Sequence, residues 1–209
     1  MPLEKTIQVN THTQVLVWKI TESFESLQRG LALSQNSAER LQNMKSISHQ
    51  CGFLSIRHLL FEAGYQDADL TYDENGRPHL NDGKFISITH SFSYSAIIVS
   101  SHNVGIDIEM QREKIIRIAD KFTNLKEQAL LVDPIDSKVK QLTIIWGAKE
   151  AMYKMCNSRS LSFKDNMNVE AFDLIDECGR CEVSSESFSK SFYFYFFEIE
   201  NFILVYTLL

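Results

Sequence analysis

Proline and glycine are scarce in this chain of 209 residues, at three and eight. That excludes a collagen-like or Gly/Pro-rich low-complexity chain. No apolar run reaches the ~18–20 residues that a membrane span needs, and the opening "MPLEKTIQVN" lacks the apolar core of a signal peptide. The expectation is a cytoplasmic protein with no membrane partner. Excess positive charge is missing too, since 21 Lys and Arg face 27 Asp and Glu for a net charge of −6. This disfavours a nucleic-acid binder, because backbone binding needs many cations. Cysteine is limited to Cys51, Cys156, Cys178 and Cys181. The motif "CGRC" is half a zinc site with no second pair at ligand spacing, and it stands between β-patterned segments. It therefore reads as a hairpin turn over Gly179 and Arg180.

Apolar residues are plentiful at 44%, and aromatics crowd into "FYFYFF" at 192–197. The length suits one large domain or two small halves. Strand-like alternation marks 13–20, 84–91, 94–101 and 103–110. Residues 37–64 read as one or two helices, with Ser37 as N-cap and Gly64 as stop. Asn75-Gly76 signals a hairpin within 67–80. Residues 114–131 suit helices, and 141–156 is the clearest helix. Four strands close the chain, in "NVEAFDLID", "CEVSS", "FYFYFFEI" and "FILVYTLL". The run "FISITHSFSYSAIIVSS" is echoed by "FYFYFFEIENFILVYTLL", a hint of internal duplication. The boundary between halves is expected near 110–114, giving 1–112 and 113–209.

Three segments carry chemistry. In "GIDIEM" (105–110), Asp107 and Glu109 fall on one face of a strand and Ile106 and Ile108 on the other. Same-face carboxylates can converge on a hard cation such as Mg²⁺, which takes oxygen ligands. A wet strand face is the plain alternative. Gly105 leaves room for another backbone or a ligand to come close. In "WGAKEAMYK" (146–154), Glu150 and Lys154 are one turn apart and opposite the apolar stripe of Ile144, Ile145, Ala148, Ala151, Met152 and Met155. They are either a solvated ion pair or a third metal ligand with a phosphate partner. In "ISITHS" (86–91), His90 ends a strand and is a candidate phosphate partner or proton carrier.

In this order and spacing, "ITHS", "VGIDIE", "FTNLKE" and "WGAKEAMYK" resemble the motifs of the 4′-phosphopantetheinyl transferase superfamily. The length resembles its long, surfactin-synthetase-activating type. The resemblance implies an α+β fold of two similar α/β halves, a pseudo-dimer within one chain, each with an antiparallel sheet packed on a long helix. It implies an enzyme that moves the 4′-phosphopantetheine arm of coenzyme A onto a serine of an apo acyl or peptidyl carrier protein. The by-product is adenosine 3′,5′-bisphosphate, and the enzyme is expected to act as a monomer. Asp107, Glu109 and Glu150 match the family's Mg²⁺ ligands. Lys154 matches the helix lysine near the pyrophosphate, and His90 the histidine on the CoA phosphates, with Thr89 beside it where serine is usual. Lys149 matches the lysine before the metal glutamate. Glu127 is a candidate for the metal environment or for proton removal. Arg77, in "NGRPH", and Arg57, in "LSIRHLL", are candidate CoA contacts, with Lys45 and His49 farther upstream. Two other classes remain open: a different Mg²⁺-dependent phosphodiester-cleaving enzyme, resembling a nuclease, and a CoA-binding module without turnover.

Overall fold

The computed structural model describes residues 3–158, 160–185 and 188–208. The chain is mixed α and β with antiparallel sheets, and it divides into two compact units, Met1–His102 and Asn103–Leu209.

In the first unit, strands β1 (Leu3–Asn10) and β2 (Thr13–Lys19) form a hairpin. Three helices follow: α1 (Phe24–Gln28), α2 (Gln35–Asn43) and α3 (Ile47–Glu62). The N-cap of α2 is Ser34, whose hydroxyl accepts from the amide of Ser37. Ser37, expected as the cap, is inside the helix, and its hydroxyl donates to Asp67 at 2.8 Å. Ser34 wins because only a residue with extended backbone ahead of the first turn can cap. The segment ends at Gly64, whose φ of +87° is left-handed. A hairpin of β3 (Leu70–Tyr72) and β4 (Pro78–Leu80) turns at Gly76, with φ +85°. Strands β5 (Phe85–Ser91) and β6 (Tyr94–Ser100) complete a sheet of order β1-β2-β6-β5. Helix α3 lies against β2, β5 and β6, where Ile56, Leu59 and Leu60 meet Leu16, Trp18 and Ile97.

The second unit begins with β7 (Val104–Met110). A 3₁₀ stretch (Glu113–Ile118) leads into α4 (Ala119–Phe122), α5 (Leu125–Ala129) and the long α6 (Ile135–Cys156). Helix α6 starts six residues ahead of the expected 141, at an N-cap proline, Pro134, that has no amide hydrogen to lose. Strands β8 (Met167–Val169), β9 (Cys178–Ser184), β10 (Ser189–Ile199) and β11 (Phe202–Leu208) follow. The expected final strand "FILVYTLL" includes Leu209, which lies outside the described residues. The sheet order is β7-β11-β10-β9-β8. In "FYFYFF", Phe192, Phe194 and Phe196 point inward and are buried, by simple strand alternation. They meet the expected apolar stripe of α6, all six residues of which are buried.

Three expectations need correction. The boundary between units is at 102/103, not 112/113, because β7 pairs along its whole length with β11 of the second unit. "CGRC" is not a turn: it begins β9 and pairs with β10 through Phe192↔Cys181 and Tyr195↔Cys178. Gly179 serves packing, since a Cβ there would sit 2.4 Å from the ring of Phe194. Both cysteines are free thiols. In "NVEAFDLID", only Asn168 and Val169 are in a strand.

Candidate active site

The second unit brings its polar residues together through two glycines. A Cβ on Gly105 would lie 2.0 Å from the carbonyl oxygen of Ala151, and one on Gly147 would lie 2.7 Å from Cγ2 of Val205. Side chains at both positions would lift α6 off β7 and β11. Of the two reasons open for Gly105, close approach of another backbone is the one found. Gly105, Asp107 and Glu109 share one strand face, and Gly147, Glu150, Ala151 and Lys154 share one helix face. Those faces meet.

Lys154 makes the link. Its ammonium donates to Asp107 Oδ1 at 2.9 Å and to the carbonyl oxygen of Ile106 at 2.8 Å. Asp107 is 7% exposed and Lys154 28%. At Asp107 the strand face is therefore covered, while Glu109 is half-buried. Glu150 is half-buried beside them, and its carboxyl is pushed up to about 7. Burial is the main cause, Asp107 adds to it, Lys154 opposes, and Glu109 adds a smaller push. Three carboxylates thus bear on one another in a partly dry place.

The donor set fits a hard divalent cation in kind. All three groups are oxygen donors, and a cation would offset the like charges that raise Glu150. Among the described residues, no three His, Cys, Asp or Glu side chains already stand in a ligand cluster. A hollow of about 210 Å³ opens beside Glu109, lined by Met110, Arg112, Lys114, Ile115, Ile118 and Trp146. Trp146 also packs on Phe122 and Phe163, with ring centroids at 5.0 and 5.4 Å.

Two residues expected here belong to the interior instead. Glu127 and Lys149 pair at 2.7 Å with both side chains 0% exposed. Lys149 also donates to the carbonyls of Phe122 and Phe163, at 2.7 and 2.8 Å. Burial pushes Lys149 below the ordinary lysine range, and Glu127 only partly restores it. Glu127 closes a capping box at α5, accepting the amide of Asn124 and, from β8, that of Val169. The expectation of Lys149 at the substrate and Glu127 at the metal or the serine proton is corrected: burial leaves neither a path to a ligand.

In the first unit, Arg57 is likewise corrected. It is buried, and its guanidinium donates to Asp67 at 2.9 Å, to the carbonyl of Phe53 and to Ser37. A CoA phosphate would have to break that network. His90 ends β5, is exposed, and meets His49 of α3 edge to face at 5.9 Å between centroids. Gly52 makes this possible, because a Cβ there would fall 2.5 Å from His90 Cδ2. Sequence inspection missed Gly52; a lone glycine inside a helical pattern was the available sign. Thr89 is buried beside His90. Lys45 is exposed in the link between α2 and α3, and Arg77 is half-buried in the β3–β4 turn, where its amide donates to Asp73.

Residues 103–206, nearly the whole second unit, match the family model of the 4′-phosphopantetheinyl transferase superfamily. The chain belongs to that superfamily. It is 28% identical over 131 residues to enterobactin synthase component D of Salmonella typhi, covering 62% of this chain and 53% of that protein. The corresponding protein of Salmonella typhimurium strain LT2 is 27% identical over the same shares. The 4′-phosphopantetheinyl transferase gsp of Aneurinibacillus migulanus is 32% identical over 83 residues, 39% of this chain and 35% of that protein. The chain spans about half the length of the Salmonella proteins it matches. No helix among the described residues is long and apolar enough to cross a membrane.

Proposed function

We propose that this superfamily member is a Mg²⁺-dependent, cytoplasmic 4′-phosphopantetheinyl transferase. It would move the arm of coenzyme A onto a serine of an apo carrier protein of the acyl or peptidyl kind. The serine Oγ–phosphorus bond forms, the pyrophosphate bond to adenosine 3′,5′-bisphosphate breaks, and the serine proton passes to a base. The observation that carries this reading is the Asp107–Lys154 pair with Glu150 beside it, inside the region that matches the family.

Asp107, Glu109 and Glu150 would hold the cation. Bound Mg²⁺ supplies charge stabilisation on phosphate oxygens and on the leaving bisphosphate. Lys154 would hold a pyrophosphate oxygen, since positioning and charge carry most phosphoryl transfer. With Glu127 enclosed, the carboxylates left to receive the serine proton are those of the cluster. Within the first unit, His90, Thr89, His49, Arg77 and Lys45 are the residues proposed to contact CoA phosphates.

The long, surfactin-synthetase-activating type and its pseudo-dimer belong to the same proposal. Each unit has an antiparallel sheet with one long helix against it, α3 in the first and α6 in the second, and this supports an origin by duplication. Action as a monomer follows from that reading. The likeness to an enterobactin synthase component and to a 4′-phosphopantetheinyl transferase favours carriers of peptide-type synthesis.

The test mixes the chain with CoA, Mg²⁺ and several apo carriers and weighs the carriers afterwards. Added mass of the arm on the carrier serine is expected. No transfer to any carrier would remove the proposal. Mg²⁺-dependent nicking of a plasmid would favour the nuclease-like class, and CoA binding without turnover the binding module.

A further inference from the structure

The reaction proposed above leaves Lys149 and Glu127 unused. Their pair is enclosed, and all three hydrogens of the ammonium have partners. An ammonium has three hydrogens; those of Lys149 go to Glu127 Oε2, the Phe122 carbonyl and the Phe163 carbonyl. Glu127 Oε2 also takes the amide of Asn124, and Oε1 takes that of Val169 at 2.8 Å. One ion pair thus ties α6 to the start of α5, to the loop after α6 and to β8.

Stability alone is a weak reason for such a pair, because apolar residues of similar volume often do as well. Register is a better one. An apolar helix face tolerates a small rotation on a sheet, whereas an ammonium with three fixed partners does not. Lys149 is the residue before Glu150, and successive helix residues point about 100° apart. Holding Lys149 toward α5 and β8 therefore holds Glu150 toward β7. Gly105 and Gly147 set how closely α6 approaches the sheet, while the ion pair sets how it is turned.

We propose that the Lys149–Glu127 pair is the positioning device of the acid cluster, fixing the rotation of α6 that keeps Glu150 beside Asp107 and Glu109. What the cluster is used for rests on the transferase reading; the positioning itself does not. Neither residue touches substrate.

The decisive variant in the full chain is Lys149→Met with Glu127→Leu, which removes both charges together. It is expected to fold and to melt below the parent, because the carbonyls of Phe122 and Phe163 and the amides of Asn124 and Val169 lose a partner. Its Mn²⁺ affinity, read by electron paramagnetic resonance without CoA or carrier, should fall at least about tenfold. Its kcat should fall by a similar factor with KM for CoA within about twofold. A crystal structure should show the Glu150 carboxylate displaced from Asp107. If that variant does not fold, Glu127→Gln keeps the volume and carries the same measurements. A folded variant with parental Mn²⁺ affinity, parental kcat and Glu150 in place would overturn the inference. So would a tenfold rise in KM for CoA at unchanged kcat, which would put Lys149 on the substrate. If the parent itself neither transfers the arm nor binds Mn²⁺, the transferase reading fails, and the position of Glu150 in the variant crystal still decides the inference.

Discussion

Each unit buries one ion pair beneath its long helix. In the first, Arg57 of α3 reaches Asp67, with side chains 2% and 3% exposed. In the second, Lys149 of α6 reaches Glu127, both fully enclosed. The environments differ. Arg57 lies over the ring of Phe53, 3.4 Å from its centroid, and Asp67 accepts from Ser34 and Ser37 as well. Burial pushes Asp67 up, but these hydrogen bonds and the Arg57 charge outweigh it, and its carboxyl ends below the ordinary value of 3.8. For Lys149 the balance goes the other way, and burial wins. The first pair is thus a favourable part of the fold. The second lies one residue from Glu150. An ion pair one residue from Glu150, with its three ammonium hydrogens placed, can set where that carboxylate points, while the pair on α3 needs only the fold to explain it.

The largest effects should come from breaking each pair on one side only. Arg57→Met leaves Asp67 buried without its cation, and Lys149→Met does the same to Glu127; each should lose about 3–5 kcal/mol of stability, measured by denaturant unfolding. A loss under about 1 kcal/mol at either would mean that water reaches the abandoned carboxylate. Next comes Asp107→Ala, which should lower Mg²⁺-dependent arm transfer by on the order of 10²–10³ while the melting curve stays cooperative. Full activity in that variant would remove Asp107 from the metal assignment. Gly105→Ala should be milder, at about 1–3 kcal/mol, because the new methyl meets the backbone of Ala151, which must shift. Transfer should fall with stability there, whereas Gly30→Ala, where no atom lies within 4 Å, should disturb only a left-handed backbone position.

Acid sharpens the contrast between the pairs. The folded-state pKa of Asp67 is below its unfolded value, so its contribution to stability is complete above about pH 4 and is lost as pH falls through the folded value. In Asp67→Asn that part of the acid dependence should vanish from unfolding curves taken between about pH 2 and 5. The smallest effect belongs to the surface pair Lys140–Glu198, at 28% and 41% exposure. Lys140→Ala should cost no more than about 1 kcal/mol, and salt should erase it.

Much of the site was readable before the fold. The spacing in "GIDIEM" put Asp107 and Glu109 on one face, and the apolar stripe of α6 put Glu150 and Lys154 together on another. Periodicity reports which residues share a face, and that was enough for four of the polar groups. It was not enough for Glu127, Lys149 and Arg57, which look like ordinary polar residues and are enclosed. A charge can be buried only when its partners are supplied from elsewhere in the chain. For Lys149 those partners are Phe122, Glu127 and Phe163, at sequence separations that no local pattern reports. The strand in "CGRC" was missed for a related reason: Gly and Arg together read as a turn, and the ring of Phe194 that fills the space over Gly179 comes from the neighbouring strand.

By itself, then, the sequence determined the class of fold, the family motifs and which acids share a face, because alternation, helical spacing and residue type are local properties. The tertiary structure decided where the first unit ends, which helix residues face the strand acids, and which charges are enclosed. Those depend on what each side chain meets across the sheet. At Gly105 the two levels join: the glycine is visible in the sequence, and the carbonyl of Ala151 that requires it is visible only in the fold.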